Sequence, residues 1–217
     1  MKKISLDEKS DIFIARASLI LSLRQNSIVC PDILKAFESV AHEKFVPFEY
    51  LEYAYKDKTL PLGFSQSMTS PIQLAKIFLV LEPKGAKKIL EIGTGSGYSA
   101  AVLSRLAKRV FTLEINKSLA KTAQQNWIKA KISGTIGFIQ NGKDGLNAQM
   151  PFDRILINGA IKEIPQNILD QLSDEGILVA PVGLPKERAI ITKVERQREQ
   201  FIYSEHGSII ISDMFNK

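Results

Sequence analysis

The stretch Leu90-Glu91-Ile92-Gly93-Thr94-Gly95-Ser96-Gly97 decides the fold predicted for this chain. A short apolar run over residues 88–92 leads into three alternate glycines, and an amphipathic segment over residues 98–107 follows. These two patterns are typical of a buried strand and of a helix. Glycines between them permit a sharp turn and let a ligand approach the backbone closely. The stretch therefore predicts a strand, a ligand-binding turn and a helix.

The alternation of strands and helices continues along the chain. Further buried strands are predicted at 110–114, 136–140, 152–157 and 176–182, and helices at 117–131 and 164–172. Residues 189–195 and 201–211 are predicted to form a closing antiparallel pair. This order indicates an α/β fold with a doubly wound, mostly parallel sheet of seven strands. Ligands of such sheets bind at the carboxyl ends of the strands.

The first 80 residues have a different character and are predicted to form a helical extension. A first helix is indicated by apolar residues at helical spacing, namely Phe13, Ala17, Ile20 and Leu21. Pro31 and Asp32 open a second helix, because proline suits the first turn and an acid suits the positive end of the helix dipole. We therefore divide the chain into this extension, residues 1–80, and a Rossmann-like nucleotide-binding domain, residues 81–217.

Composition and charge argue against several classes of protein. The 217 residues carry a net charge of +6, but Lys and Arg are interleaved with Asp and Glu, so no nucleic-acid partner is expected. The single cysteine, Cys30, cannot form an internal disulfide, and charged residues interrupt the N-terminal segment, so neither secretion nor a membrane anchor is expected. The two histidines, His42 and His206, have no partners at metal-ligand spacing. We expect a cytoplasmic monomer without a metal.

Two carboxylates indicate which ligand the glycine turn binds. Glu114 ends the next predicted strand, 21 residues after Gly93, where a carboxylate can accept both ribose hydroxyls of an adenosine ligand. Glu91 precedes the first glycine, where it suits a cationic sulfonium and amino group and would repel a pyrophosphate. We therefore favour S-adenosyl-L-methionine as the ligand and a class I methyltransferase as the fold.

Three other interpretations of the turn are weaker. A dinucleotide fold prefers its third glycine one residue later, and a phosphate-binding loop needs a Gly-Lys-Ser/Thr sequence, which does not follow here. A glycine-rich turn without any ligand is the remaining alternative.

A longer set of motifs resembles the protein-L-isoaspartate (D-aspartate) O-methyltransferase family. The resemblance runs from about residue 25 to 185, and the Phe-Val-Pro and Pro-Leu-Gly segments are more specific than the glycine turn. Besides the glycine turn, the matching segments are Phe45-Val46-Pro47, Ala54-Tyr55-Lys56-Asp57, Leu60-Pro61-Leu62-Gly63, Pro151-Phe152-Asp153-Arg154-Ile155 and Leu178-Val179-Ala180-Pro181-Val182-Gly183.

The resemblance implies an enzyme that begins the repair of damaged proteins. Such an enzyme transfers a methyl group from S-adenosyl-L-methionine to the carboxylate of L-isoaspartyl or D-aspartyl residues and releases S-adenosyl-L-homocysteine. Its partners are isoaspartyl-containing peptides and proteins. Because a carboxylate is already ionised at neutral pH, no general base and no metal are required.

The resemblance also assigns a substrate loop. The family pattern Gly-Gln-Thr-Ile-Ser-x-Pro falls on Ser65 to Pro71, and its active-site serine falls on Thr69, which keeps the hydroxyl. Ser65 replaces a glycine, and its added Cβ is expected to reshape the loop. The cofactor contacts that this loop implies are Gln66, Ser67 and Met68.

A second departure concerns the adenine site. The family's Gly-Asp-Gly-x-x-Gly falls on residues 140–145 without a gap, so Asn141 replaces the acid that contacts the adenine amino group. The amide oxygen of Asn141 can still accept that hydrogen bond, whereas a shifted register would use Asp144 instead. With Thr69 as the catalytic residue, the complete cofactor set is Gln66, Ser67, Met68, Glu91, Gly93, Thr94, Gly95, Ser96, Gly97, Glu114, Asn141, Gly142 and Asp144.

Other functions stay open at this point. The chain reads Asn158-Gly159-Ala160 where the family has Thr-Ala-Ala, and it lacks the Pro-Pro-Tyr/Phe that follows in enzymes methylating base amino groups. A methyltransferase for another substrate is one alternative, and a family paralogue that binds cofactor or peptide without turnover is another. The resemblance implies a C-terminal segment close to the substrate, although residues 212–215 depart from the family's Phe-Val-Pro ending.

Overall fold

The computed structural model describes residues 6–183, 188–212 and 214, with side chains described from residue 11 onward. The helices are α1 (Leu6–Gln25), α2 (Pro31–Ser39), α3 (Pro71–Leu81), α4 (Tyr98–Leu103), α5 (Lys117–Ala130) and α6 (Gln166–Leu169). The strands are β1 (Leu60–Gly63), β2 (Gln66–Met68), β3 (Lys88–Ile92), β4 (Arg109–Glu114), β5 (Thr135–Ile139), β6 (Phe152–Ile157), β7 (Leu172–Val182), β8 (Ala189–Gln197) and β9 (Gln200–Ile209). Short 3-10 helices lie at His42–Lys44, Phe48–Tyr53, Gly142–Asp144 and Asn147–Gln149.

Seven strands form one sheet in the order β5-β4-β3-β6-β7-β8-β9. Strands β5 to β7 are parallel, and β8 and β9 close the sheet in antiparallel pairing. The predicted doubly wound, mostly parallel sheet is therefore confirmed. The strand order reverses between β3 and β6, and a crevice outside the carboxyl ends of the strands is expected at such a switch point.

The N-terminal helices share a hydrophobic core with one face of the sheet. Phe37 of α2 lies against Phe78 of α3, with ring centroids 5.9 Å apart, and against Tyr98 of α4, at 6.1 Å. The same cluster includes Ile89 of β3 and Val179 of β7. The helical extension is thus packed directly on the sheet, while its separation from the rest of the chain as a domain stays a prediction.

The first helix buries a face that was predicted only in part: Ile20 is half-buried against the core as expected, whereas Phe13, Ala17 and Leu21 are exposed. Leu19 and Leu23, four residues apart, are 2% and 0% exposed, whereas Phe13 is 73% and Leu21 57% exposed. Positions four apart lie on the same side of a helix, so α1 contacts the core through a narrow stripe that excludes Phe13 and Leu21.

Among the residues with a described structure, no helix combines the length and apolarity that a membrane span requires.

Several element bounds also differ from the prediction. Helix α4 ends at Leu103 because the next residues turn back: Gly85 N–H donates to Leu106 O and Lys108 N–H to Ala86 O, each at 2.9 Å. Helix α6 is short because the chain enters β7 at Leu172, which pairs with Phe152 of β6 ahead of a bulge. Strand β9 ends at Ile209, two residues earlier than predicted.

The predicted substrate loop forms a small antiparallel hairpin outside the main sheet. Its strands β1 and β2 pair Leu60 with Met68 and Pro61 with Ser67. Phe64 and Ser65 at its tip have φ values of 54° and 57°, in the left-handed region that glycine prefers. The serine at 65 therefore adopts a glycine-like backbone conformation, and the loop keeps its tight turn at the cost of local strain.

Candidate functional site

A cavity opens at the carboxyl ends of β3, β4 and β6, next to the switch point of the sheet. Its walls come from the hairpin, the glycine turn, the loops that follow β4, β5 and β6, and the C-terminal segment. The predicted site residues that line it are Gln66, Ser67, Met68, Thr69, Gly93, Thr94, Gly95, Ser96, Glu114, Asn141 and Gly142. Residues far apart in the sequence are thus brought around one space.

Two glycines of the turn, Gly93 and Gly95, line the cavity, whereas the third, Gly97, contacts helix α5. Gly93 has a φ of 101°, a backbone conformation that L side chains rarely adopt, so a substitution there would be strained. Gly97 does not line the cavity. Its carbonyl accepts a hydrogen bond from Trp127 Nε1 at 2.9 Å, and a Cβ on it would lie 2.7 Å from that nitrogen. Gly97 therefore joins the turn to α5 and is not placed to contact a ligand.

Glu114 ends β4 at the cavity edge and is held from two sides. Its Oε2 accepts a hydrogen bond from Gly95 N–H and its Oε1 from Asn116 N–H, each at 2.9 Å. An ionised carboxylate offers about four lone-pair sites, so each oxygen keeps acceptor capacity for a ligand. Such an arrangement suits a diol that donates two hydrogen bonds.

Glu91 lies immediately behind the wall of the cavity and is 0% exposed. Its Oε2 accepts a hydrogen bond from Thr112 Oγ1 at 2.7 Å, and Thr112 in turn lies 2.7 Å from the hydroxyl of Thr94, which does line the cavity. Burial raises the pKa of Glu91 to about 7, and the negative charge of Glu114 acts in the same direction. Glu91 thus acts on the cavity through an intervening residue, as a negative charge that forms near neutral pH.

Thr69 directly follows β2 and faces the loop after β6. Its hydroxyl donates to Asn158 Oδ1 at 3.4 Å, and Asn158 N–H donates to Ile92 O at 2.9 Å. Asn158 was recognised in the sequence only as a departure from the family pattern. Its position just after a strand at the switch point of the sheet is the signal that could have marked it as a site residue.

Of the two residues predicted for the adenine amino group, Asn141 lies at the cavity and Asp144 does not. Asn141 lines the cavity, and its Oδ1 caps the 3-10 helix Gly142–Asp144 by accepting a hydrogen bond from Lys143 N–H at 3.0 Å. Asp144 is exposed and lies off the cavity wall, and its carbonyl accepts a hydrogen bond from Gln171 Nε2 at 2.9 Å. The register without a gap is thus the one that puts its residue on the cavity wall, and the adenine contact itself stays a prediction.

The C-terminal segment reaches the cavity beside the β1–β2 hairpin. Ala160 N–H donates to Ser212 O at 2.8 Å, and Met214 N–H donates to Ala160 O at 2.9 Å. The hydroxyls of Ser67 and Ser212 lie 2.5 Å apart. The Met214 side chain lines the cavity above Gly93, a position that no local motif in the sequence indicated. Asp213 and Phe215 of the same tail lie outside the described residues.

His42 is a packing residue, as the sequence suggested. It is 2% exposed and stacks on Tyr98, with ring centroids 4.0 Å apart. Burial lowers the pKa of His42 to about 4. Within the described part of the chain, no three His, Cys, Asp or Glu side chains are grouped so that they could hold a metal ion.

Comparisons with known proteins point to one family. Residues 15–211 match the family model described as protein-L-isoaspartate(D-aspartate) O-methyltransferase. The protein-L-isoaspartate O-methyltransferase of Azorhizobium caulinodans is 39% identical over 172 residues, which cover 79% of each chain.

Two solved structures share the fold. One, named protein-L-isoaspartate O-methyltransferase, superposes with a TM-score of 0.84 at 24% identity and covers 93% of this chain. This chain spans 66% of that longer one, slightly less than two thirds. A second, from Plasmodium falciparum and described as a protein-L-isoaspartate O-methyltransferase in complex with S-adenosyl-L-homocysteine, has a TM-score of 0.79 at 18% identity. The matched region covers 91% of this chain and 97% of the Plasmodium falciparum chain.

Proposed function

Because this chain belongs to the protein-L-isoaspartate(D-aspartate) O-methyltransferase family, we propose that it methylates the carboxylate of L-isoaspartyl residues in damaged proteins. The methyl donor is S-adenosyl-L-methionine and the products are a methyl ester and S-adenosyl-L-homocysteine. The observation that carries the proposal is one cavity lined both by the hairpin residue Thr69 and by the glycine turn with Glu114.

The chemistry of the cavity fits the donor. S-adenosyl-L-methionine supplies an electrophilic methyl group on a sulfonium. Glu114 keeps acceptor capacity for the ribose hydroxyls, and Asn141 keeps a second lone pair on its amide oxygen for the adenine amino group. Glu91 balances the positive charge of the donor. Because Glu91 must be ionised to do so, donor affinity rises as the pH rises through about 7.

The acceptor side needs orientation and water exclusion, and it needs no general base. The free carboxyl of an isoaspartyl residue is an α-carboxyl with a pKa of about 3.3–3.7, so it is ionised at neutral pH. Thr69 donates a hydrogen bond from its hydroxyl to one carboxylate oxygen, which aligns the other for in-line attack on the methyl group. Leu62, Met68 and Met214 supply apolar surface around the reacting groups and limit the water that solvates the carboxylate.

The two parts of the chain have different roles in this proposal. We assign the substrate hairpin, with the cofactor contacts Gln66, Ser67 and Met68, to the extension of residues 1–80, and we assign the rest of donor binding to residues 81–217. The full partner is an isoaspartyl-containing peptide or protein, with no nucleic acid and no membrane. A cytoplasmic monomer stays our expectation, and light scattering after size exclusion tests the oligomeric state.

A methyl-transfer assay tests the function. The protein is incubated with methyl-labelled donor and with three peptides that differ only at one residue, which is L-isoaspartyl, D-aspartyl or L-aspartyl. Base-labile label on the L-isoaspartyl peptide, and none on the L-aspartyl peptide, is the expected result. Label on the D-aspartyl peptide would extend the acceptor range. Donor binding in calorimetry without transfer to any peptide would contradict the proposal and favour a paralogue that binds without turnover.

A further inference from the structure

Asn158 is the residue at which the two halves of the site meet. It follows β6 and lines the cavity. Its Oδ1 accepts a hydrogen bond from the hydroxyl of Thr69. Its Nδ2 donates to Glu91 Oε1 and to the carbonyl oxygen of Gly93. All three distances are 3.4 Å. One side chain therefore contacts the proposed acceptor-side hydroxyl, the buried carboxylate and the first glycine of the donor turn.

We propose that Asn158 is a positioning residue that couples the acceptor side of the reaction to the donor side through Thr69 and Glu91. This inference rests on the proposed methyl transfer, since Thr69 is assigned to the acceptor by that function. Asn158 itself touches neither reacting atom in the proposal. It fixes the orientation of the Thr69 hydroxyl, which contacts the acceptor, and of the Glu91 carboxylate behind the cavity wall.

The amide has only one orientation that satisfies its neighbours. A primary amide has two N–H donors, and here they face two acceptors, the Glu91 carboxylate and the Gly93 carbonyl. A flip of the amide would turn its oxygen toward both acceptors and lose both hydrogen bonds. The donors of Asn158 therefore hold its oxygen toward Thr69.

The oxygen of Asn158 in turn sets the position of the Thr69 hydroxyl. Thr69 is β-branched and has few side-chain rotamers, and a hydrogen bond to Asn158 favours the one that keeps its Oγ1 in the cavity. A hydrogen bond to a carboxylate is about twice as strong as one to a neutral amide. When the acceptor enters, the hydroxyl proton can turn from Asn158 to the substrate without moving the oxygen, so the site is aligned in advance.

The nitrogen of Asn158 supports the ionised form of Glu91. The hydroxyls of Ser99 and Thr112 and the Asn158 amide favour the ionised carboxylate, whereas burial and the charge of Glu114 on β4 oppose its ionisation. Without the Asn158 amide, fewer hydrogen bonds would lower the pKa of Glu91 against burial and the charge of Glu114, which raise it. The pH at which donor binding strengthens should then move upward.

A double-mutant cycle tests the link to Thr69. Asn158→Ala and Thr69→Ala should each lower kcat by roughly 10–100-fold, because a misplaced group near the reacting atoms costs about that much. In the Thr69→Ala background, Asn158→Ala should lower kcat by less than about threefold, because contacting residues in one network are not additive. Equal losses in both backgrounds would contradict an action through Thr69.

Calorimetry of donor binding as a function of pH tests the link to Glu91 without any peptide. The midpoint at which affinity rises should be higher in Asn158→Ala than in the wild type. Asn158→Asp keeps an oxygen for Thr69 but replaces the donor with a second carboxylate, and it should raise the midpoint further. An unmoved midpoint in both variants would overturn the link to Glu91.

Two controls separate this inference from simpler explanations. Asn147→Ala alters an exposed asparagine away from the cavity and should leave kcat and the pH midpoint unchanged. Thermal unfolding of each variant shows whether it folds, and Asn158→Asp serves as the near-isosteric variant if Asn158→Ala does not. If the wild type methylates no peptide, the proposed function fails, while the pH dependence of donor binding still tests the contact between Asn158 and Glu91.

Discussion

The carboxylate of Glu114 accepts a hydrogen bond from the backbone N–H of Gly95, with 2.9 Å between Oε2 and the nitrogen. This contact ties the end of β4 to the glycine turn that follows β3. The two groups proposed to bind the donor therefore share one rigid unit. A ligand at the turn meets a carboxylate whose direction is already set.

Replacing Glu114 should weaken donor binding. Glu114→Ala removes two proposed hydrogen bonds to the ribose, so we expect a loss of about 1–3 kcal/mol in donor affinity, measured by calorimetry. Glu114→Gln retains one acceptor oxygen and should lose less. If both variants bind the donor as tightly as the wild type, the ribose does not lie at Glu114.

Replacing Thr69 should affect turnover more than donor binding. Thr69→Ala removes the hydroxyl proposed to orient the acceptor, so kcat should fall by roughly 10–100-fold while donor affinity changes little. Thr69→Ser keeps the hydroxyl and should retain most of the activity. Steady-state kinetics with an isoaspartyl peptide, together with calorimetry, measure both quantities. Equal losses in both would argue against an acceptor-side role.

Replacing Ser65 with glycine should stabilise the fold. An L-residue in the left-handed region costs about 1–2 kcal/mol, and glycine returns about 0.5–1 kcal/mol of that through the entropy of the unfolded chain. The net gain expected for Ser65→Gly is therefore between about 0 and 1.5 kcal/mol, at about 2–4 °C in Tm per kcal/mol for a chain of this size. Ser65→Ala keeps the strain and should show no gain. A lower Tm for Ser65→Gly would mean that the serine makes a stabilising contact that outweighs its strain.

Burial of His42 should make the fold sensitive to acid. The pKa of His42 is about 4 in the folded chain, against about 6.5 when unfolded, so the unfolded chain binds the extra proton between these values. The stability contribution is complete above pH 6.5 and is lost as the pH falls toward 4, by about 3 kcal/mol in all. His42→Phe keeps an aromatic ring against Tyr98 but cannot titrate. Denaturant unfolding at several pH values should show the wild type losing more stability than this variant, and parallel losses would contradict the assignment.

The main sheet could be predicted from the sequence because its signals are local. Strand β6 was predicted with the bounds that the structure has, since Phe152 to Ile157 is bounded by a proline and by Asn-Gly. The buried face of α1 could not be predicted in this way. Its sequence offers several apolar stripes, and only contact with α2 and α3 selects Leu19 and Leu23 over Phe13 and Leu21.

The same distinction applies to the candidate site. Gly93 and Glu114 belong to a local pattern with a known spacing, so sequence reasoning could assign them to a ligand. Asn158 and Met214 belong to no such pattern. They reach the cavity because β6 ends at the switch point and because backbone hydrogen bonds to Ala160 hold the C-terminal segment there. Contacts of this kind depend on the finished fold.

The contact between Ser67 and Ser212 joins residues that lie 145 positions apart. The hairpin near the start of the chain and the segment near its end therefore meet beside the cavity, and the cavity wall needs both of them. The donor cavity is therefore complete only when nearly the whole chain has reached its native arrangement. Donor binding should then report on complete folding, and a saturating donor concentration should raise the melting temperature by mass action.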